Sequence, residues 1–555
     1  MWLHDENKLL KLLYRLVKVP SISSTENERD MAREIYNILS EIPYFKEHED
    51  KLHIKDILGD NLNRQYVTGL IKGSGNKTVI LIHHHDVADV DDFGKLRDQA
   101  FDIEEITDKI ASFELTEDAK KDLESGEWVF GRGVMDMKAG AALQLALMND
   151  YSYKVPDLTG NILLLSVPDE ENNSAGVIAS LSHLLELQEQ YALEFVSVIK
   201  SESHQPDSKG RHELAIGSIG KILPLFYCFG KETHGGSPFS GLNSSLIFSQ
   251  VQSLMEKNTD FVDEFRGELT PPPVNLKTND LRGVYNVTTP QVTVGYYNIL
   301  TINSTPLDIL KKLKKVGQNA LENSVEIYNN RLKEFKGMSS SRSVESGWGQ
   351  STNITEGMNP QVYTFQELFQ SAYDAFGDQF MNYYHRVIEE LKETKLDERE
   401  FTVELVNKIH DMCPDREPKI VVAFLPPFYP HVRNRRETEK ELFILDVVEK
   451  IKSQGKERYG LDFTVTEFFK GISDLSYFAL IDGDEISNYL SPNMPSLRHV
   501  YNIPIEEIKK LDVSVLNVGP VGKDAHQYTE RLHVPFFTKE APKLLELAVN
   551  QVLKY

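Results

Sequence analysis

Three apolar runs in this sequence end abruptly in groups that bind metals or move protons. Thr78 to Ile82 is β-branched and aliphatic and gives way to His83-His84-His85-Asp86. Asn161 to Pro168 ends in Asp169-Glu170-Glu171, and Phe195 to Ile199 ends in Lys200-Ser201-Glu202. Such runs are the pattern of strands buried on both faces of a sheet, and open α/β sheets carry their sites at the strands' carboxyl ends. Side chains alternate along a strand, so His84 and Asp86 project to one face while His83 and His85 point to the other. An imidazole sharing a face with a carboxylate suggests a metal ligand beside an acid. On that stretch alone, a polar strand end with hydrogen-bonded histidines is the alternative.

Two further segments extend the set. Asp136 lies within Gly131-Arg132-Gly133-Val134-Met135-Asp136-Met137-Lys138-Ala139-Gly140, and His526 follows the run Val513 to Val518. The first segment is not a nucleotide loop, because Asp136 replaces the third glycine of G-x-G-x-x-G, and no G-x-x-x-x-G-K-[ST] occurs anywhere. Histidines and carboxylates without cysteine suit zinc, or manganese or cobalt in the same cage. One ion needs about four ligands; His84, Asp136, the Glu170-Glu171 pair, Glu202 and His526 are enough for two ions sharing a carboxylate. Of two adjacent glutamates, one can ligate while the other takes a proton from an activated water. That chemistry is hydrolysis.

The positioning elements alternate between helical and strand periodicity. Leu9, Leu10, Leu13, Leu16 and Val17 mark a first helix, and Thr25 with Glu28 reads as a capping box for a second. Tyr66 to Ile71 and Thr78 to Ile82 flank Gly73-Ser74-Gly75-Asn76 and read as a hairpin. The acidic segment Asp89 to Gly126 is weakly patterned and reads as a long loop with a short helix, and 337–359, rich in Ser, Gly and Thr, as a flexible loop. The character changes after Gly217-Ser218-Ile219-Gly220 and the alternation resumes after Pro430-His431. The expected organisation is therefore a metal-binding catalytic domain from 1–213 and 431–555, interrupted by a second domain at 214–430.

Composition narrows the function. With 61 basic against 84 acidic residues the formal charge is −23, which argues against nucleic acid or an anionic membrane as partner. No apolar run is long enough to span a bilayer. Two cysteines, Cys228 and Cys413, give neither a disulfide framework nor a thiolate metal site. No secretory pattern opens the chain, so a cytoplasmic protein is expected. Cys228 in its apolar strand is expected to be buried and inert, and His83, His85, His204 and His431 to be structural.

His84-His85-Asp86, Gly131 to Lys138, Asp169-Glu170-Glu171, Glu202, His234 and His526 resemble, in order and surroundings, the M20 family of metallopeptidases and aminoacylases. The length and Pro426-Pro427-Phe428-Tyr429-Pro430-His431 are most similar to its arginine-utilisation (RocB-like) branch. The resemblance implies a mostly parallel α/β/α catalytic domain of zinc-exopeptidase type with an inserted α+β lid and dimerisation domain. It implies one metal, zinc or else cobalt or manganese, on His84, Asp136 and Glu202. A second would lie on Asp136, Glu171 and His526, with Asp136 bridging. Asp86 would orient His84 and Glu170 would be the general base. His234 would stabilise the oxyanion, across a homodimer in many relatives. Gly471-Ile472-Ser473-Asp474 resembles a substrate-proximal motif, though Asp474 also reads as a helix cap, and Asn286 lies in a segment similar to the relatives' substrate-binding asparagine. One departure stands out: the strand Thr293 to Asn303 lacks the arginine with which many relatives hold the substrate's carboxylate. The implied activity is cleavage of an amide bond in a small peptide or N-acyl amino acid, in amino-acid (arginine) catabolism. The alternative is a non-catalytic, metal-containing binding or regulatory protein on the same fold.

Overall fold

A computed structural model describes residues 1–338 and 361–554. The segment expected to be a flexible loop therefore lies, from 339 onward, outside the described residues. The chain divides into two compact units, Met1–Ile219 with His431–Ile481 and Pro504–Tyr555, and Gly220–Pro430 with Asp482–Ile503. Relative to the boundaries drawn from the sequence, 214–219 joins the first unit and 482–503 the second. The first difference has a local cause: Ser218 exchanges backbone hydrogen bonds with Val432, and the Phe469 amide donates to Gly217, which ties this stretch to the chain that returns after 430.

The first unit is built on an eight-stranded sheet: β1 (Leu52–Asp56), β2 (Gln65–Lys72), β3 (Lys77–His84), β4 (Asn161–Val167), β5 (Glu194–Lys200), β6 (His212–Ala215), β7 (Phe463–Thr466) and β8 (Ser514–Asn517). The order across the sheet is β1-β2-β4-β3-β5-β8-β6-β7. The central strands β4, β3, β5 and β8 run parallel, so all four present their carboxyl ends at one edge. Register sets the edge: His84 pairs with Val167 and Ile82 with Lys200, which brings His84, Asp169 to Glu171 and Glu202 together. The parallel strands are continuously apolar because helices cover them, among them Lys138–Ser152, buried along nearly its whole length. Gly140 permits that close packing, since a Cβ there would lie 2.2 Å from the Ser201 carbonyl oxygen.

Three sequence expectations are corrected. β2 and β3 do not form a hairpin; β4 lies between them, antiparallel to β2 and parallel to β3. Gly73 and Ser74 bond instead to Asn161 and Leu158. The second helix, Asn27–Glu41, has no side-chain cap; Glu28 is fully buried and accepts from the Ser24 amide at 2.7 Å. The acidic segment after Asp89 folds into helical turns at Asp91–Gln99, Ile103–Lys109, Ile110–Ser112 and Glu117–Ser125, around a small core of Phe93, Ile106, Ile110 and Phe130.

The second unit is an α+β body. Its five-stranded sheet has the order Val274–Asp280, Val292–Thr301, Gly220–Phe229, Lys419–Tyr429, Gln361–Thr364, antiparallel except for the last pair. Helices supply Leu368, Leu405 and Ile409 against Leu223, Leu225 and Tyr227 of the sheet. Its helices Phe365–Phe376 and Asp378–Lys392 are separated at Gly377, with φ +52°. Among the described residues of both units, no helix is long and apolar enough to cross a membrane.

His410 of helix Glu398–Asp411 lies buried, its ring 4.2 Å from that of Phe229. Burial, reinforced by Arg416 and Lys419, pushes its pKa down to about 3. The folded state therefore keeps this ring neutral while the unfolded chain takes up a proton below its ordinary value of about 6.5. Its stability contribution is lost as pH falls through that value. The stability deficit of His410→Gln relative to wild type should narrow by about 1.4 kcal/mol per pH unit below 6.5. Urea melts at pH 7, 6 and 5 measure this, and a constant deficit would contradict it.

Candidate metal centre

The carboxyl edge of the first unit's sheet gathers the residues singled out by the strand-end pattern. β3 delivers His84, with no exposed surface; its Nε2 lies 3.1 Å from Asp136 Oδ1 and 3.2 Å from Glu202 Oε1. The segment after β8 delivers His526, whose Nε2 lies 3.1 Å from Asp136 Oδ2 and 3.0 Å from Glu171 Oε2. Asp136 thus turns one oxygen to each histidine. Glu170 also has a carboxylate oxygen close to the His84 and Glu202 donors.

These donors fit a pair of metal ions. Ligand atoms held about 2.0–2.2 Å from a tetrahedral zinc are themselves about 3.3 Å apart, close to the spacings seen here. His84, Glu202 and Asp136 can form one cage, and His526, Glu171 and Asp136 the other. The buried Glu171 Oε1 has no hydrogen-bond partner. Without a cation the cluster is over-supplied with negative charge. Burial and the Asp136 carboxylate push Glu171 up to about 8. Hydrogen bonds to Asp136 and Glu171 raise His526 to about 11. Cation binding would release such protons.

Asp86 does more than face His84. Its Oδ1 is 3.5 Å from His84 Nδ1, and its two oxygens accept from the amides of Glu170 and Glu171, each at 3.1 Å. One carboxylate therefore fixes both an imidazole and the turn carrying the two glutamates. His83 and His85 point away: His83 Nδ1 meets Gln144 Oε1 at 2.9 Å and His85 Nδ1 meets Ser166 Oγ at 2.9 Å. Burial drives their pKa values down to about 4 and about 3, so both stay neutral.

Several supports carried no functional signal in the sequence. Arg64 pairs with Asp169 and Asp60 and holds the turn before Glu170 from behind. Arg132 Nη1 contacts Glu530 at 2.8 Å, and Glu530 accepts from the amides of Met135 and Asp136 at 3.2 and 3.3 Å. The fully buried Arg531 pairs with Asp118, Asp122 and Asp524, and the Tyr528 hydroxyl donates to the Glu114 carbonyl at 2.6 Å. Lys523 pairs with Asp118 and Asp122 as well, so the acidic insertion grips the chain on both sides of His526. Lys200, at the end of β5, places Nζ 2.7 Å from Glu170 and 2.8 Å from Glu202.

The remaining expected site residues fall as follows. Asp474 is fully buried, and burial raises its carboxyl to about 7 against the opposing influence of Lys200 and the Ser174 side chain. Ser473, not Asp474, caps the short turn that follows. His234 and Asn286 are both exposed and lie on adjacent segments of the second unit, where His234 pairs with Thr288 and the Gly235 amide donates to the Val287 carbonyl at 2.7 Å. His204 is a structural residue, with Nε2 3.0 Å from His212 Nδ1. Cys228 is buried, which pushes its thiol up.

Imidazoles and carboxylates grouped around a shared aspartate at the edge of a mostly parallel sheet, with a glutamate beside them, are the apparatus of a metallohydrolase. Comparison with known sequences gives the family: the model of peptidase family M20/M25/M40 matches residues 107–482. The uncharacterized protein YqjN of Bacillus subtilis is 34% identical over 99% of this chain and 97% of its own length. The chain belongs to peptidase family M20/M25/M40 and is a metallohydrolase of the M20 type. RocB of Bacillus subtilis is 28% identical, over 97% of this chain and 94% of that protein. Among solved structures, an M20 family metallo-carboxypeptidase from Sulfolobus solfataricus shares the fold with TM-score 0.54 at 15% identity, each chain covered to 99%. A tripeptidase from Staphylococcus aureus does so with TM-score 0.51 at 11% identity, both chains covered fully.

The Asp86 geometry predicts that Asp86→Ala weakens divalent-ion binding by about 10–100-fold. Competition with a chromophoric chelator measures this, and unchanged affinity would remove Asp86 from the centre.

Proposed function

We propose that the protein is a dinuclear-metal hydrolase that cleaves an amide bond in a small peptide or N-acyl amino acid. The observation that carries the reading is Asp136 standing between His84 and His526 with one oxygen toward each. Bound divalent ions, zinc or else cobalt or manganese, would supply a water of near-neutral pKa and polarise the scissile carbonyl. Glu170 accepts the attacking water's proton and passes it to the leaving amine as the carbon–nitrogen bond breaks. Burial raises its pKa above the ordinary carboxylate value, which suits a group that takes and returns a proton near neutrality. Asp86 keeps the His84 ring and the glutamate turn in register with each other.

On the substrate side, the reading assigns Asp474 to a positively charged group, because it is a fully buried carboxylate whose burial Lys200 and Ser174 offset only in part. A cationic amino acid such as arginine fits that assignment. The 28% identity to RocB over nearly the whole chain supports the arginine-utilisation branch that the sequence resemblance implies. His234 and Asn286 are assigned to the oxyanion and the substrate. Exposed Leu276 on the edge strand Val274–Asp280, with Val284, Tyr285 and Val287 beyond it, supports a homodimer formed through the second unit.

Purified protein loaded with zinc, cobalt or manganese should hydrolyse a member of a panel of dipeptides and N-acyl amino acids, most readily one with a basic residue. Glu170→Gln should lower the rate by about 10²–10⁴-fold while retaining the metal. Ligand binding without turnover, indifferent to Glu170→Gln, would instead support a non-catalytic binding protein. Mixing His234→Ala with Glu170→Gln subunits should restore part of the activity, and absence of complementation would count against a site shared between subunits.

A further inference from the structure

We propose that Lys200 is a resident cation of the centre that makes its two halves unequal, so that Asp136, Glu171 and His526 take up a divalent ion more tightly than His84 and Glu202. The inference rests on reading the cluster as a metal centre. Lys200 is the last residue of β5 and has no exposed surface. Its Nζ bridges Glu170 Oε1 and Glu202 Oε1 at 2.7 and 2.8 Å. The oxygen of Glu202 that it holds is the same one that lies 3.2 Å from His84 Nε2. An ion entering this half must therefore share, or take, a ligand atom that an ammonium already occupies, and must do so against like charge at short range.

The other half carries no such cation. Among the described residues, no lysine or arginine contacts the carboxylates of Asp136 or Glu171, and the partner they share is His526. Asp136 and Glu171 face an imidazole, itself a metal-ligand type, whereas Glu170 and Glu202 face an ammonium, which has no lone pair to offer an ion. Access points the same way: the His526 side chain is 53% exposed, and that of His84 is wholly buried. The arrangement also serves catalysis, because the lysine that weakens one cage anchors the carboxylate of Glu170. Lys200 is thus a positioning residue for the base.

Metal-stripped protein titrated with Co²⁺ and followed by visible absorption and calorimetry tests this without any substrate. Wild type should show two classes of site. The spectrum of the first equivalent should disappear in His526→Ala and persist in His84→Ala. Lys200→Met should tighten the weaker class at least about tenfold, whereas Lys200→Arg should preserve the separation. The proposal is overturned by a single class of equal sites, by loss of the first-equivalent spectrum in His84→Ala rather than His526→Ala, or by a weaker class that Lys200→Met leaves unchanged. Should Lys200→Met not fold, the comparison of the two histidine variants decides. Failure of wild type to bind Co²⁺ at all would overturn the metal-centre reading itself, and the Lys200 proposal with it.

Discussion

Crowding of like charge is the constraint that shapes the first unit. Asp86, Asp136, Asp169, Glu170, Glu171, Glu202 and Asp474 converge, mostly buried, on one edge of one sheet. Carboxylates at such distances cannot coexist as anions without compensating cations or protons. The fold answers with a graded set of partners. Arg64 takes Asp169, Lys200 takes Glu170 and Glu202, and the two histidines divide Asp136. Backbone amides satisfy Asp86. What these partners leave uncompensated lies at the buried Asp474 and where His84 and His526 face Asp136, the latter being where the chemistry calls for divalent ions.

Much of this was legible in the sequence because parallel-sheet architecture writes itself as apolar runs with polar ends. The alternation rule separated His84 from His83 and His85, and the structure puts Gln144 and Ser166 against the latter two. Register then does the assembling: once β3 lies between β4 and β5, residues more than a hundred positions apart in sequence become neighbours. The changes in patterning after Gly220 and after His431 carry no sign of the further stretch Asp482–Ile503 that belongs to the second unit.

What escaped was whatever depends on partner choice. Tyr66 to Ile71 and Thr78 to Ile82 are strand-like runs flanking a short Gly- and Asn-containing segment, as in a hairpin, but such a pattern states that a segment is a strand and not which strand it joins, and β4 enters between them. Thr25 and Glu28 have the spacing of a capping box, yet Glu28 is drawn into the core beside Arg64. The acidic insertion looked like a loop because its charges outnumber its apolar residues. Those charges have partners far along the chain, Lys523 and Arg531, that local patterning cannot supply. Lys200 was visible only as a polar strand end.

The placement of β8 has a temporal meaning. It pairs with β5 and leads to His526, yet it is separated from β5 by the whole second unit and more than three hundred residues of chain. During synthesis, which runs from amino to carboxyl terminus, β5 waits with one edge open and the cluster lacks its second imidazole until Ser514–Asn517 emerges. Gly519, where a Cβ would lie 2.1 Å from the Glu202 carbonyl oxygen, then closes the seam directly behind Glu202. A nascent or truncated chain therefore cannot present the complete cluster of imidazoles and carboxylates. Completing the fold and arming the enzyme are one event.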